Sequence, residues 1–422
     1  MKELFVFIIL LAAVVAGHGY NIISLDLTTF FVFILIIGFL IYRDRRKVKL
    51  EGIVLIRRTQ KGRDFIDKTA QKHPSFWKGM GVLGVVIAIP MLVLGSVFLI
   101  GQAVSLATGA AGAEGGVRLL LPGPVSSPTS LPGIFVVPWW IWIIGIAVVI
   151  IPHEFMHGIM CRLDKIGIKS VGWILLVIIP GAFVEPDERQ LKKAKRSTKM
   201  KVYAAGSFAN ILIAFIVLVI AAIYFAASFS GAGAFVVTLN DTPASNVGLT
   251  GSITDIDGHP VRDNEDIRMV LEKYKPGDTV EIKTIEGDLL APRFRLDRMD
   301  FFVPQPVAVA NTTETKTFTV TLAEHPERSG AYLGVSSLFP TVRYNGGDFE
   351  TYRIVATLLL WIYVFNLGIG IVNLLPIKPL DGGLLFEEIA GHFTSNTKFI
   401  VRAVSGIMLF VLIFNLLGPI FI

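Results

Sequence analysis

Two histidines, His153 and His157, and a glutamate, Glu154, stand in the segment VVIIPHEFMHGIMC, which is otherwise apolar enough to sit in lipid. On a helix, residues four apart lie about 40° apart around the axis and roughly 6 Å along it, so both imidazoles reach one ion. The pattern is HExxH, in which two histidines hold zinc and the glutamate takes a proton from water at the metal. A tetrahedral catalytic zinc needs a third protein ligand and leaves its fourth position open. On a solvated helix the same residues can be mere polar surface. In hydrocarbon an ionisable group costs about 2.5 to 3.5 kcal/mol on insertion scales, which argues here for a ligand role.

The third ligand must lie at the same membrane depth, so the elements that set depth come next. The chain has 422 residues, 53% hydrophobic and 17% charged, against about 25% charged in an ordinary soluble domain. Apolar runs recur at Leu4 to Ala16, Leu27 to Tyr42, Met80 to Leu106, Phe135 to Met160, Val202 to Phe229, Ile354 to Leu375 and Ile400 to Ile422. They predict a polytopic α-helical membrane protein of about seven spans. Residues 1–18 read as a first span, with a cleaved signal peptide as the rival. Cys161 is the only cysteine, which excludes an intrachain disulfide and any multi-cysteine metal site.

The net charge is +6, but its distribution argues against nucleic acid. Basic residues concentrate in YRDRRKVKLEGIVLIRRTQKGRDF and ERQLKKAKRSTKMK, whereas Ser230 to Glu350 is rich in carboxylates. The positive-inside rule puts both basic loops in the cytoplasm, where they meet anionic lipid headgroups. Met80 to Leu106 then runs outward, and the Gly/Pro/Ser-rich stretch after it is expected to be a flexible external connection. The HEFMH span returns inward with the pentad near its cytoplasmic end. Lys169 to Glu188 is apolar, short and interrupted by Pro180-Gly181, and is expected to be a re-entrant segment. Val202 to Phe229 leads out to a soluble domain, and Ile354 to Leu375 returns to NLLPIKPLDGG.

Asp381 of that motif therefore shares the depth of the pentad and is the best third ligand. Glu185 and Asp187 are on the same side but adjoin the basic loop, where solvation is easier. The parts are 1–78, N-terminal membrane segments and a basic loop; 79–229, the first half of a catalytic membrane core; 230–350, the external domain; and 351–422, the second half. Within the external domain, ITDIDGHPV reads as a hairpin turning at Asp257-Gly258. Asp263 caps an amphipathic helix bearing Ile267, Val270 and Leu271, and DTVEIKTI and KTFTVTLAE alternate as strands. Asn210 and Asn373 also lie in apolar surroundings, each open to a packing or a functional reading.

Taken in order, HEFMH, GSFAN (Gly206 to Asn210) and NLLPIKPLDGG (Asn373 to Gly383) resemble the site-2 protease family of intramembrane zinc metalloproteases. The resemblance covers about Phe135 to Phe229 and Ile354 to Phe386. It implies an intramembrane endopeptidase that cleaves transmembrane segments of substrate proteins in regulated intramembrane proteolysis. One catalytic Zn2+ would be held by His153, His157 and Asp381, with Glu154 as the base. Asn373 would hold the substrate chain, with Asn210 taken as a second substrate contact, and the re-entrant segment would offer a strand edge for pairing. The inserted β-rich domain looks like a PDZ domain that takes a peptide or partner terminus outside the cytoplasm, although the excursion Glu286 to Glu314 departs from the simplest PDZ pattern. Expected partners are transmembrane substrates and membrane lipids. The rival readings are a membrane metal-ion transporter and a non-catalytic scaffold presenting a PDZ domain; the first should show repeated halves, and the second needs no HExxH.

Overall fold

The computed structural model describes residues 2–421 apart from 61, 111–116, 126–128, 132, 177–178, 294–304 and 328. The chain divides into two compact units, Met1–Phe215 with Trp361–Ile422, and Ile216–Leu360.

The first unit starts with α1 (Lys2–Gly19) and α2 (Leu25–Arg43), the latter capped by Ser24, whose Oγ accepts from the Leu27 N–H. Phe7 stacks on Phe39 between them, with ring centroids 4.6 Å apart. The basic segment that follows folds into β1 (Val48–Glu51), β2 (Val54–Thr59) and α3 (Arg63–Lys72). Then come α4 (Pro74–Ala107), the strands β3 (Leu119–Gly123), β4 (Thr129–Leu131) and β5 (Ile134–Pro138), and α5 (Trp139–Leu163). The stretch expected to be a flexible connection is thus partly a sheet of order β3-β5-β4. Its strand β5 takes Phe135 to Pro138 away from the predicted span, which begins at Trp139.

Beyond α5, β6 (Ile168–Leu176) and β7 (Ile179–Pro186) form an antiparallel hairpin, followed by α6 (Glu188–Lys193) and α7 (Arg196–Ser228). The expected re-entrant segment is this hairpin, and β6 pairs on its other side with β2, giving a four-stranded sheet β1-β2-β6-β7. The first basic loop and the re-entrant segment are therefore one sheet, with β7 as its edge. Facing Ala and Gly residues of α7 permit close helix packing: Ala205 and Ala209 bury against Met156, Ile159 and Met160 of α5, and Ala204 packs with Ala88 and Leu92 of α4.

The second unit is built on β8 (Phe229–Thr238), α8 (Pro243–Asn246), β9 (Ser252–Ile256), β10 (His259–Pro260), α9 (Asn264–Leu271), β11 (Thr279–Arg293), β12 (Gln305–Thr321), β13 (Ala323–Glu324), β14 (Ala331–Tyr332) and β15 (Val335–Tyr344). Six of its strands form a sheet of order β10-β9-β11-β12-β15-β8, and an added β9–β8 pairing closes it. The Asp257-Gly258 turn has φ of 50° and 78°, as a two-residue hairpin loop requires. Asp263 accepts from the Glu265 and Asp266 N–H groups and caps α9, whose Ile267 and Val270 enter the core with Ile253, Ile256 and Ile282. The Glu286 to Glu314 excursion lengthens the β11–β12 hairpin, with register shifts at Ile285/Gly287 and Leu289/Ala291, and 294–304 lie outside the described residues.

The chain returns through α10 (Phe349–Asn373), α11 (Asp381–Phe393) and α12 (Thr397–Phe421). Among the described residues, six helices are long and apolar enough to cross a membrane: α2, α4, α5, α7, α10 and α12. The seventh expected span, α1, is a shorter apolar helix.

Candidate metal centre

HEFMH lies in the last three turns of α5. Pro152 sits inside the helix immediately before His153, and its missing N–H leaves the Val148 carbonyl without a helical donor. The end of α5 is clamped by α3, where Asp67 pairs with Arg162 and Ile66 covers Gly158.

Asp381 opens α11, at the end of a tight turn from α10. Added to Gly382, a Cβ would stand 2.0 Å from the Leu374 carbonyl oxygen, and one on Gly383 would stand 2.5 Å from the Ile377 carbonyl carbon. Only glycines let α11 start this close to the α10 terminus, so the DGG sequence sets where the carboxylate goes. The turn is also tied down by α12: Ser405 Oγ donates to the Pro376 carbonyl at 3.0 Å and accepts from the Lys378 N–H at 3.2 Å. Lys199 of α7 reaches Glu388 at 2.6 Å and fixes the other end of α11.

These supports bring together three groups that are far apart in sequence. His153 Nε2, His157 Nε2 and Asp381 Oδ2 form a triangle with sides of 3.2, 3.1 and 3.2 Å. Ligand atoms held about 2.0–2.1 Å from a tetrahedral zinc are separated by about 3.3–3.4 Å, so the triangle is within about 0.2 Å of what the ion needs. Protons tell the same story. The Val202 carbonyl can only accept, so the 2.7 Å contact from His157 Nδ1 puts a hydrogen there, the tautomer in which a neutral ring keeps its lone pair on Nε2. Nε2 in turn lies 3.1 Å from Asp381 Oδ2.

Gly206 of α7 forms the floor. A Cβ there would stand 2.3 Å from His157 Nε2 and 2.5 Å from His153 Nε2. The helix therefore presents bare backbone to the two nitrogens and leaves open beside them the space that a methyl would fill. Val202, Gly206 and Asn210 are successive residues at four-residue spacing on α7, and all three face the histidines.

Glu154 points the other way around α5, toward the free edge of β7, where its Oε2 accepts from the Val184 N–H at 2.9 Å. Asn210 is wholly buried, with its amide nitrogen 3.0 Å from His153 Nδ1. The structure thus sets Asn210, expected as a second substrate contact, against the ring of His153. Asn373 closes α10 and is half-buried. Glu185 accepts from Ser170 Oγ at 2.6 Å. Asp187 caps α6, where the backbone N–H of Gln190 and then that of Arg189 hold its carboxyl below the usual carboxylate range. Among the described residues, His153, His157 and Asp381 are the one group of three or more that could hold a metal.

The order of motifs, the apolar helices and this geometry agree with a family-level comparison, in which the model of Peptidase family M50 matches residues 141–416, more than half of the chain. The chain belongs to peptidase family M50. This is the site-2 protease family, whose members are membrane metalloproteases, and the six apolar helices mark this M50 chain as a multi-pass membrane protein. It is also similar to an uncharacterized protein of Methanocaldococcus jannaschii, 25% identical over 359 residues, 82% of this chain and 81% of the relative. The M50 match runs through the inserted second unit, so the two halves of the membrane core belong to one family segment.

Sequence reasoning did not find the roles of Gly206, Val202 and Val184. The four-residue spacing within KVYAAGSFAN carried a signal for the first two. Nothing local marks Val184, because its position beside Glu154 depends on a strand edge meeting a helix.

Proposed function

We propose that the protein is a zinc-dependent intramembrane endopeptidase that cleaves transmembrane segments of other proteins, as expected of regulated intramembrane proteolysis. The observation that carries this reading is the triangle of His153, His157 and Asp381 donor atoms, with Glu154 one position along the same helix and the β7 edge beside it. One Zn2+ held by these three residues would supply a Lewis acid that acidifies water and polarises a scissile carbonyl.

The chain's own groups do the rest. Glu154 Oε2 is engaged by the Val184 N–H, so Oε1 is the atom free to take a proton from water and return it to the leaving amine. The Val184 N–H lies on the edge of the sheet, and by the two-residue strand period Ala182 shares that edge. A substrate helix hides its carbonyls in its own hydrogen bonds, so it must unwind to be cut, and an exposed strand edge offers replacement bonds to the unwound chain. Half-buried Asn373, at the end of α10, is suited to hold such a chain. Helix-breaking residues in the substrate should favour cleavage.

By the charge rule, the basic segments around β1, β2 and α6 belong to the cytoplasmic side, and with them the metal site. The second unit then lies outside the cytoplasm and serves as a PDZ-like filter on partners. Supporting this is a groove of about 670 Å³ lined by Ile267, Arg268 and Leu271 of α9 and by Leu333 to Val335. Val335 and Ser336 pair with β8 on one side, while among the described residues β12 pairs with β15 at Thr341 and Val342. A strand edge next to a helix is the geometry that takes an extended peptide or a chain terminus. A transporter reading has less support, because the donor atoms form one cluster.

The test is Glu154→Gln in the reconstituted full chain. Zinc content is expected to stay at the wild-type level while cleavage of a reconstituted transmembrane substrate is lost. Undiminished cleavage by this variant would end the assignment.

A further inference from the structure

His153 has two ring nitrogens, and the metal reading makes a demand on the second. For Nε2 to offer a lone pair to zinc, Nδ1 must carry the hydrogen and needs an acceptor. For His157 that acceptor is the Val202 carbonyl at 2.7 Å. The only group that meets Nδ1 of His153 among the described residues is the amide of Asn210, 3.0 Å away and wholly buried.

The amide now turns its nitrogen toward Nδ1, and its Oδ1 is buried with no hydrogen-bond partner among the described residues. With the amide nitrogen donating to Nδ1, the histidine hydrogen is left on Nε2, where it donates to Asp381 Oδ2 at 3.2 Å. In that arrangement the buried Oδ1 is left without a donor, and a protonated Nε2 has no lone pair to offer a metal. A half-turn of the amide occupies the same volume and reverses the pattern. Oδ1 then accepts from Nδ1–H, and the Nε2 lone pair is released to the ion.

We propose that Asn210 is a positioning residue of the metal centre: its amide, through Oδ1, selects the Nδ1–H tautomer of His153 and thereby makes Nε2 a ligand. The inference rests on the reading of His153, His157 and Asp381 as zinc ligands. It places both supports on one face of α7, since Val202 and Asn210 are two turns apart with Gly206 between them. One helix therefore sets the tautomers of both histidines and clears the space in front of them.

The experiment uses the full chain in detergent or nanodiscs, with zinc titrated against a competing chelator, and nitrogen NMR of 15N-histidine-labelled protein. Zinc-loaded wild type is expected to carry its His153 hydrogen on Nδ1. Asn210→Leu, similar in size and without an acceptor, is expected to bind zinc about 10–100-fold more weakly. Asn210→Asp, which keeps an acceptor oxygen at that position, is expected to bind closer to wild type than Asn210→Leu. A zinc-loaded wild type with the hydrogen on His153 Nε2 overturns the proposal, and so does an Asn210→Leu protein that binds zinc as tightly as wild type. Wild type that takes up no zinc overturns the metal reading itself, which separates the two failures. The NMR result on wild type stands even where a variant fails to fold.

Discussion

Adding a single methyl group to Gly206 should disable the metal centre while favouring the helix that carries it. The new Cβ would lie 2.3 and 2.5 Å from the Nε2 atoms of His157 and His153, whereas an ordinary carbon contact is about 3.5–4.0 Å. Both rings, or α7 itself, must retreat by about 1 Å. Metal ligation tolerates departures of about 0.2 Å, so the displacement is several times what the site can absorb. The histidines cannot swing freely, because Val202 and Asn210 of the same helix hold their far nitrogens. Zinc affinity is expected to fall by at least 100-fold, equivalent to about 2.7 kcal/mol. In the helix interior, alanine is better than glycine by about 1 kcal/mol, which partly offsets the crowding. Metal-free Gly206→Ala should therefore fold with a melting temperature near that of the metal-free wild type, and zinc should raise the melting point of the wild type alone. Metal analysis and thermal unfolding with and without chelator read both effects. A Gly206→Ala protein with wild-type zinc stoichiometry and cleavage would refute the geometry from which the centre is built.

Asp381→Asn keeps the shape of the third ligand but removes its charge, so zinc occupancy should drop measurably at equal protein concentration; unchanged occupancy would move the ligand elsewhere. Val184→Pro deletes the N–H that Glu154 accepts, at an edge position where a sheet tolerates proline. It should lower cleavage with zinc content intact, and loss of zinc instead would mean that β7 shapes the metal site itself. In the second unit, Ile256→Ala empties a fully buried core position and should destabilise that unit by about 2–5 kcal/mol. Hydrogen exchange on the full chain should show faster exchange in β9 and β11, with the metal centre unaffected. Asp187→Ala removes the cap of α6 and should fray that helix. Because the carboxyl is held below its usual range, the capping contribution is present at neutral pH and lost as pH falls through the lowered value, so the difference between wild type and variant should vanish in acid.

Much of the membrane core was legible in the chain. The apolar runs located the helices because a spanning segment must satisfy its backbone internally and show lipid an apolar surface. HExxH was readable because helical geometry is periodic, so spacing four is enough to put two imidazoles together. Turns and caps at Asp257, Gly258 and Asp263 were likewise local events. Strand β5 was misread as the start of a span, since Ile134 to Val137 is equally apolar in either state and only its pairing with Leu119 to Pro122 decides. The sheet joining β2 to β6 went unseen because its partners are more than a hundred residues apart. An asparagine in an apolar helix looks the same in the chain whether it faces a cleft or a histidine ring, so only packing sets Asn210 against His153.

The sequence by itself determined which residue types are available at one membrane depth: two histidines, a glutamate next to one of them, and an aspartate after a Pro-Leu turn. Their common depth is an expectation drawn from the apolar runs and the basic loops, both properties of the linear chain. Only the tertiary structure decided that the three donor atoms converge to about 3 Å, that Gly206 leaves the space they enclose, and that α7 supplies a carbonyl and an amide to orient the rings. Those outcomes depend on how closely helices approach and on which backbone groups remain unpaired. Such quantities are set by packing among distant segments, and no single stretch of the chain contains them.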